Sequence, residues 1–132
     1  MSIKKIIPIL PKLLFVALLF GIVFSHKSQF PRVLIIHSYQ IDYDWAVSIN
    51  EGMERIFKDN HGLDIRYHYM DLKNHTGADY QRIATNLARR AVDQWQPDVL
   101  VMFDDVAQRQ VGKHYASDNN PELNLDIVFG GV

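Results

Sequence analysis

The densest group of chemically versatile side chains lies in one short segment, residues 38–45 (SYQIDYDW). Aromatic rings with polar edges give flat apolar contact, and a helix beginning here would offer free N–H groups to an anionic group. The segment is therefore predicted to contact a small ligand; alternatively, Tyr43 and Trp45 only fix the loop to the helix. The candidate ligand contacts are Ser38, Tyr39, Asp42, Tyr43 and Trp45.

A second acidic pair, Asp104 and Asp105, follows an apolar run. These carboxylates could accept hydrogen bonds from ammonium or hydroxyl groups of a ligand, or could cap the next helix at its N-terminus. We expect one of them to cap the helix and the other to face the ligand. Asp71 and Lys73 are weaker candidates, because the polar loop that carries them is expected to be solvated.

Catalytic, cofactor and metal sites lack their usual sequence signals. The chain has no Cys, which excludes thiolate zinc sites, iron–sulfur clusters and cysteine nucleophiles. The glycine-rich dinucleotide and phosphate motifs and the nucleophile-elbow motif are also missing from the sequence. His68, Asp71 and His75 do not have the spacing of a metal site, and His37 is expected to be a hydrogen-bonded core residue. We therefore predict no enzymatic activity, no cofactor and no metal.

Four predicted strands alternate with helices and would position these residues. The apolar runs at 32–37 and 98–103 are typical of strands buried on both faces. Alternation at 63–69 predicts a strand nearer a sheet edge, and a fourth strand is predicted at 125–129. Between the strands, apolar residues at helical spacing predict three helices.

The order β-α-β-α-β-α-β predicts an α/β fold, a parallel sheet with right-handed crossovers and helices on both faces. The expected strand order is flavodoxin-like, 2-1-3-4. Ligands bind such sheets beyond the carboxyl ends of the strands, where the strand order reverses. Here the reversal lies between the first and third strands, beside residues 38–44 and 104–106. The first helix is predicted to begin at Trp45, with Asp44 as its N-cap.

Charge is distributed unevenly along the chain, whose 132 residues suit one domain. Residues 1–31 carry four lysines and no acid, whereas residues 32–132 carry ten basic and fifteen acidic side chains. A body with net negative charge lacks the basic surface that nucleic acid requires, so we predict no nucleic-acid partner.

The basic N-terminus precedes an uninterrupted apolar run at 13–24. Twelve helical residues rise about 18 Å, which is too short for a hydrocarbon core of about 30 Å. Residues 1–25 are therefore predicted to be a secretory signal peptide, with an uncleaved membrane anchor or a buried core helix as the alternatives. A signal peptide or an uncleaved anchor would place the rest of the chain in the periplasm or at the outer face of the cytoplasmic membrane of a bacterium. Membrane contact would then involve only this N-terminal segment.

Six short segments follow one another within residues 32–132, namely Val33–Tyr39, Tyr43–Trp45, Gly52-Met53, Asp98–Val101, Asp104-Asp105 and Ile127–Val132. This ordered series resembles the start of the ABC-transporter substrate-binding protein family, which has the type I periplasmic binding fold. It is most similar to the branch that includes extracytoplasmic sensor domains of bacterial membrane signalling proteins.

The resemblance implies two lobes joined by a hinge, with a small organic ligand held between them. Residues 32–132 would be the first lobe, incomplete and apparently truncated without the second. Its ligand contacts would come from residues 38–45, from Asp104-Asp105, and from Gly130 and Gly131 through backbone groups or the room they leave. The implied function is binding without chemistry, as the substrate-binding component of an ABC-type uptake system whose closed form a membrane permease reads.

The sequence leaves two other functions open. The same lobe could be the ligand-sensing domain of a membrane signalling protein, either a histidine kinase or a diguanylate cyclase. An envelope hydrolase with an unrecognised site is the third interpretation. The aromatic segment at 38–45 favours amino acids or other small polar organic molecules as the ligand.

Overall fold

The computed structural model describes residues 12–18, 30–116 and 125–131. Its centre is a four-stranded sheet in which every pairing is parallel and the order is β2-β1-β3-β4. The strands are β1 (Arg32–His37), β2 (Asp64–Tyr69), β3 (Val99–Phe103) and β4 (Asp126–Gly130). The α/β fold and the strand order 2-1-3-4 predicted from the sequence are confirmed.

Helices cover both faces of this sheet. Residues 12–18 form a helical segment, α1, and two longer helices follow, α2 (Asp44–Phe57) and α3 (Ala78–Trp95). The last helix consists of an α-helical turn (Asp105–Ala107), a π-helical turn (Gln108–Gly112) and a final α-helical turn (Lys113–Tyr115). We refer to these three consecutive segments together as α4.

The core has two layers because successive residues of each strand face opposite sides of the sheet. On one side, Leu34 and Ile36 of β1 pack with α3 and α4. On the other side, Val33 and Ile35 pack with α2. Strand β1 is therefore buried on both faces, as its continuous apolar run predicts.

The two outer strands are more exposed than the two inner ones. Strand β2 is half-buried along most of its length, which agrees with its alternating sequence. Strand β4 carries two exposed large apolar side chains, Val128 and Phe129. Strands β1 and β3 are therefore the rigid centre on which a site at the carboxyl ends of the strands would be built.

Two predicted helix caps are wrong. Helix α2 begins at Asp44 itself, and the residue at the N-cap is Tyr43, which makes no side-chain cap bond. Asp44 instead lies in the first turn, where a carboxylate is favourable to the helix dipole. At α4 the N-cap is Asp104, again without a side-chain bond, because its backbone (φ 79°, ψ 153°) lacks the extended conformation that a capping side chain requires.

The described part of the N-terminal apolar run, residues 12–18, is helical and exposed throughout. This exposure contradicts the buried-core alternative for these residues. The rest of the expected signal or anchor lies outside the described residues. Among the helices that are described, none combines the length and the apolar character needed to cross a membrane.

Candidate ligand-binding site

All four strands end at one level, and the loops that follow them share one edge of the sheet. His37 at the end of β1 is in register with Tyr69 of β2 and with Phe103 of β3, and Phe103 is in register with Gly130 of β4. The chain leaves β1 toward β2 on one side and later returns to β3 on the other. The strand order therefore reverses beside β1, at the position where ligands bind this class of sheet.

Four aromatic rings meet at this reversal. Tyr39 lies edge-on to Tyr43, with ring centroids 4.9 Å apart, and edge-on to Trp45 at 6.0 Å. Trp45 in turn lies edge-on to Phe103 at 6.4 Å. Edge-to-face pairs of this kind add about 0.5–1.5 kcal/mol beyond the area that they bury. We call these four residues the aromatic cluster; all are partly exposed, so a ligand could reach them.

The two glycines at the end of β4 allow the aromatic cluster to approach the backbone closely. A Cβ atom at Gly130 would lie 2.8 Å from Cε1 of Phe103, and one at Gly131 would overlap Cζ2 of Trp45. Gly131 also has a φ of +72°, which favours glycine. The structure therefore brings both glycines into the predicted site, where they leave room for rings.

Lys73 reaches the same cluster from the loop after β2. Its Nζ atom donates a hydrogen bond to the Tyr43 hydroxyl and lies 4.0 Å from the centre of the Tyr43 ring and 5.7 Å from that of Tyr39. An ammonium over aromatic faces is attracted by the negative charge density of the rings. Lys73 is a weaker candidate from the sequence because its polar loop is expected to be solvated; the structure places that loop beside the aromatic loop.

Asp71, the other weak candidate, bonds within its own loop. Its carboxylate accepts a hydrogen bond from Asn74 at 2.9 Å and lies 3.1 Å from Nδ1 of His75. These contacts occupy both carboxylate oxygens. Among the described residues, no group of three His, Asp or Glu side chains could hold a metal ion.

Asp104 combines a rare backbone conformation with an unpartnered carboxylate oxygen. Its φ of 79° and ψ of 153° lie in a region that non-glycine residues rarely adopt, at a cost of about 1–3 kcal/mol. Its N–H donates to the Gly130 carbonyl at 3.1 Å, which holds it against β4. Burial raises the pKa of the Tyr39 phenol, and the neighbouring Asp104 carboxylate raises it further. The Tyr39 hydroxyl and the Asp104 carboxylate are therefore neighbours in the site.

Ser38 is placed at the site, but its hydroxyl already has partners. The residue is fully buried, and its Oγ atom accepts a hydrogen bond from the Ala107 N–H at 2.9 Å. The same hydroxyl donates to the Phe103 carbonyl at 3.4 Å. Ser38 thus satisfies a free N–H group at the start of α4, the task that the sequence assigned to one of the two aspartates.

His37 lies directly beneath the site and is a buried, hydrogen-bonded core residue, as predicted. Its ring is stacked between the rings of Tyr69 and Phe103, with both centroids at 5.2 Å. Nε2 lies 2.9 Å from Oδ1 of Asn50, whose amide group donates to the Tyr69 hydroxyl at 2.8 Å. Because Asn50 presents an oxygen to the ring, Nε2 carries the hydrogen. Burial lowers the pKa of His37, which favours the neutral imidazole.

The remaining two predicted residues, Asp42 and Asp105, are exposed. Within the described part of the chain, no hydrogen bond, ion pair or ring contact joins either of them to the aromatic cluster. The residues that the structure brings together are thus Tyr39, Tyr43, Trp45, Asp104 and the two glycines. Lys73, a weaker candidate from the sequence, joins them, and so does Phe103, which the sequence did not single out.

A surface concavity lies away from this site. It measures about 890 Å³ and opens between α2 and the edge of β2, where charged groups of both signs, including Glu54, Arg55 and Lys58, surround apolar residues such as Phe57 and Leu63. It contains none of the strand-end residues. The site at the carboxyl ends is separate from this concavity and is defined by its converging side chains.

Comparison of this sequence and structure with protein-family models, curated proteins and solved structures finds no match.

Proposed function

We propose that this protein binds a small organic solute at the carboxyl ends of β1 and β3, without transforming it. The observation that carries the proposal is the convergence of three strand-end loops on one point. The loop after β1 and the first turn of α2 bring three aromatic rings, the loop after β2 brings Lys73, and the turn after β3 brings Asp104. Aromatic walls with a few charged groups are typical of small-molecule sites.

Binding is favoured over catalysis by the state of the groups that could react. The Ser38 hydroxyl is fully buried and bonded to backbone groups, and His37 is enclosed by two rings with its Nε2 on Asn50. A nucleophile needs a base within hydrogen-bond reach and access to the substrate. The Ser38 hydroxyl and the His37 ring are not hydrogen-bonded to each other, so His37 does not serve as the base for Ser38. This supports a site that binds a solute without changing it.

We further propose that the protein acts outside the cytosol, as the substrate-binding component of an ABC-type uptake system. Support comes from the basic start followed by the apolar run at 13–24, and from the exposure of residues 12–18 in the structure. An exposed apolar helix suits an export segment better than a part of the core. Fusion of residues 1–31 to a phosphatase that is active only in the periplasm tests this: activity supports export, and an inactive cytosolic fusion contradicts it.

The binding proposal is tested with ¹⁹F NMR on protein labelled with 5-fluorotryptophan. The chain has two tryptophans at opposite ends of the sheet: Trp45 in the aromatic cluster, and Trp95, whose carbonyl bonds Arg32 at the start of β1. A panel of amino acids, sugars, carboxylates and amines should contain a solute that shifts the Trp45 resonance saturably while Trp95 stays fixed. Trp45→Phe assigns the signals.

Two results would contradict the binding proposal. The first is that no solute moves Trp45 selectively. The second is that the solute which binds is chemically converted in the NMR tube, since the proposal has no reaction step. Tyr39→Ala should weaken binding, whereas Tyr80→Ala is the matched control, because Tyr80 stacks on His75 and, among the described residues, has no ring contact with the aromatic cluster.

A further inference from the structure

Three buried polar atoms at the carboxyl ends of β1 and β3 have no hydrogen-bond partner among the described residues. They are Nδ1 of His37, Oε1 of Gln40 and Oδ2 of Asp104. Buried polar atoms in folded proteins are almost always bonded, and leaving one unsatisfied costs about 1–3 kcal/mol. All three belong to the ends of β1 and β3 or the loops that follow them, so the unsatisfied atoms and the candidate site coincide.

All three atoms are hydrogen-bond acceptors. Gln40 offers an amide oxygen and Asp104 a carboxylate oxygen. His37 offers a lone pair on Nδ1, because the hydrogen of its neutral ring is on Nε2. Beyond the bond that the Tyr39 hydroxyl makes to the Asp104 carboxylate, these acceptor atoms have no donor among the described residues.

The donors close to the site are already engaged. The Lys73 ammonium donates to Tyr43, the Asn50 amide donates to Tyr69, and the Ala107 N–H donates to Ser38. The Tyr39 hydroxyl donates to the Asp104 carboxylate, whose Oδ2 atom still has no partner. A solute that completes the site must therefore bring its own N–H or O–H groups.

Charge narrows the choice of donor. Asp104 is the charged member of the three, and a charge-assisted bond to a carboxylate is roughly twice as strong as a bond between neutral groups. The faces of Tyr39 and Tyr43 already attract one ammonium, that of Lys73, which shows that this aromatic cluster accommodates a cation. Positive charge and several N–H donors on one atom describe a protonated amine.

We infer that the solute carries a protonated amine, which donates to the Asp104 carboxylate and lies against the aromatic cluster, with Gln40 as a second acceptor. This inference rests on the proposed binding function and adds the chemical class of the ligand. His37 is not assigned a ligand contact, because the Tyr69 and Phe103 rings enclose it.

The amine reaches Asp104 by displacing Tyr39. Oδ2 of Asp104 is fully buried, and the Tyr39 hydroxyl is its neighbour in the site. Tyr39 belongs to a loop whose tip, Ile41, is 64% exposed and whose internal turn is held by a 3.3 Å bond from the Tyr43 N–H to the Gln40 carbonyl. A modest movement of this loop would exchange the phenol for the ligand amine.

Three probes that share the phenylethyl group and differ in the terminal polar group test the role of charge. Phenethylamine carries the ammonium, 2-phenylethanol replaces it by a hydroxyl, and 3-phenylpropanoate replaces it by a carboxylate. Each is titrated into the whole chain labelled with 5-fluorotryptophan, and the Trp45 resonance is followed with Trp95 as the internal reference. We expect phenethylamine to bind at least tenfold more tightly than either of the other probes, as about 1.4 kcal/mol of additional binding energy would give.

Asp104→Asn removes the charge and keeps the size of the side chain. It should weaken phenethylamine binding about tenfold, while Asp59→Asn, an exposed acid just after α2, should leave it unchanged. Choline, a cation without N–H donors, should bind less tightly than phenethylamine. If Asp104→Asn does not fold, the comparison of the three probes on the wild-type protein still decides the question.

The inference is overturned if the alcohol or the carboxylate binds as tightly as the amine, or if Asp104→Asn binds the amine as well as the wild type does. In those cases a selective shift of Trp45 by any solute still supports the binding function. A failure of phenethylamine to shift Trp45 also overturns the inference, and the broader solute panel then tests the binding function by itself.

Discussion

The indole of Trp45 lies against the backbone of Gly131 so closely that a Cβ atom at Gly131 would overlap the ring. This contact joins the first turn of α2, which follows β1, to the end of β4; β3 lies between β1 and β4 in the sheet. It places a large aromatic wall over the carboxyl ends of three neighbouring strands. The position of the aromatic cluster therefore depends on a residue that contributes no side chain.

Replacing Gly131 with alanine should both destabilise the protein and move Trp45. The φ of +72° disfavours any residue with a Cβ, and the methyl group would displace the indole. Together these effects should lower the free energy of unfolding by about 2–3 kcal/mol. Urea unfolding measures the loss, and the ¹⁹F resonance of Trp45 reports the displacement.

Gly77→Ala is the matched control for that substitution. Gly77 precedes α3 with a φ of −66°, and nothing lies within 4 Å of a Cβ placed there. Gly77 is the N-cap of α3, so alanine loses the N-cap preference for glycine but also lowers the entropy of the unfolded chain; the net change in stability should stay below about 1 kcal/mol. Equal stability of the Gly131→Ala and Gly77→Ala proteins would contradict the role given to the Trp45 contact.

Local patterns predicted the strands well, because burial on both faces leaves a continuous apolar run such as Val33–Ile36. They failed at the helix caps, since capping depends on backbone angles that the sequence does not reveal. The N–H of Ala107 is satisfied by Ser38, which is 69 residues earlier in the chain. No local pattern contains that pairing.

Local sequence patterns also miss those site residues that are brought together only by the folded sheet. The aromatic segment can be recognised in the sequence because its residues are contiguous. Lys73 belongs to the site only because β2 is adjacent to β1 in the folded sheet. The strand order 2-1-3-4 does imply that neighbourhood, so Lys73 could have been ranked higher. The unpartnered oxygen and the backbone angles of Asp104 required the structure.

Ser38→Ala should destabilise the protein more than the loss of one exposed hydroxyl would. The substitution leaves the buried N–H of Ala107 without an acceptor, which costs about 1–3 kcal/mol.

The control is the exposed Ser48, whose hydroxyl bonds the Asp44 carbonyl within α2. Ser48→Ala should change the free energy of unfolding by less than about 0.5 kcal/mol. Chemical unfolding measures both, and faster hydrogen exchange of the Ala107 amide would locate the effect. Unchanged exchange at Ala107 would contradict the assignment.

Stability should decrease as the pH falls below the ordinary pKa of histidine, about 6.5. Burial lowers the pKa of both His37 and His68 in the folded protein, so the unfolded chain binds more protons in this range. Stability is therefore full above pH 6.5 and is lost as the pH falls from there toward the folded-state pKa values, by up to about 1.4 kcal/mol per pH unit for each group. Urea unfolding between pH 8 and pH 5 measures the slope.

A His68→Gln variant divides this pH dependence between the two residues. It should retain the part of the slope that belongs to His37, whose ring NMR signals should remain those of the neutral form at pH values where free histidine is largely protonated. A protein that is equally stable at pH 7 and pH 5.5 would show that neither ring is held neutral by the fold.

Lys73→Met should alter binding more than it alters folding. The side chain is exposed, so losing its ammonium should change the free energy of unfolding by less than about 1 kcal/mol. The ammonium lies over Tyr43 and close to Tyr39, where the inferred amine would bind, and like charges repel. Its removal should therefore tighten phenethylamine binding by roughly two- to threefold, the effect of a Coulomb energy of about half a kcal/mol in a high dielectric.

The exposed Lys58→Met at the end of α2 should have no effect on either quantity. Weaker binding of the amine after Lys73→Met would instead indicate that Lys73 attracts the solute, as it would for an anionic ligand.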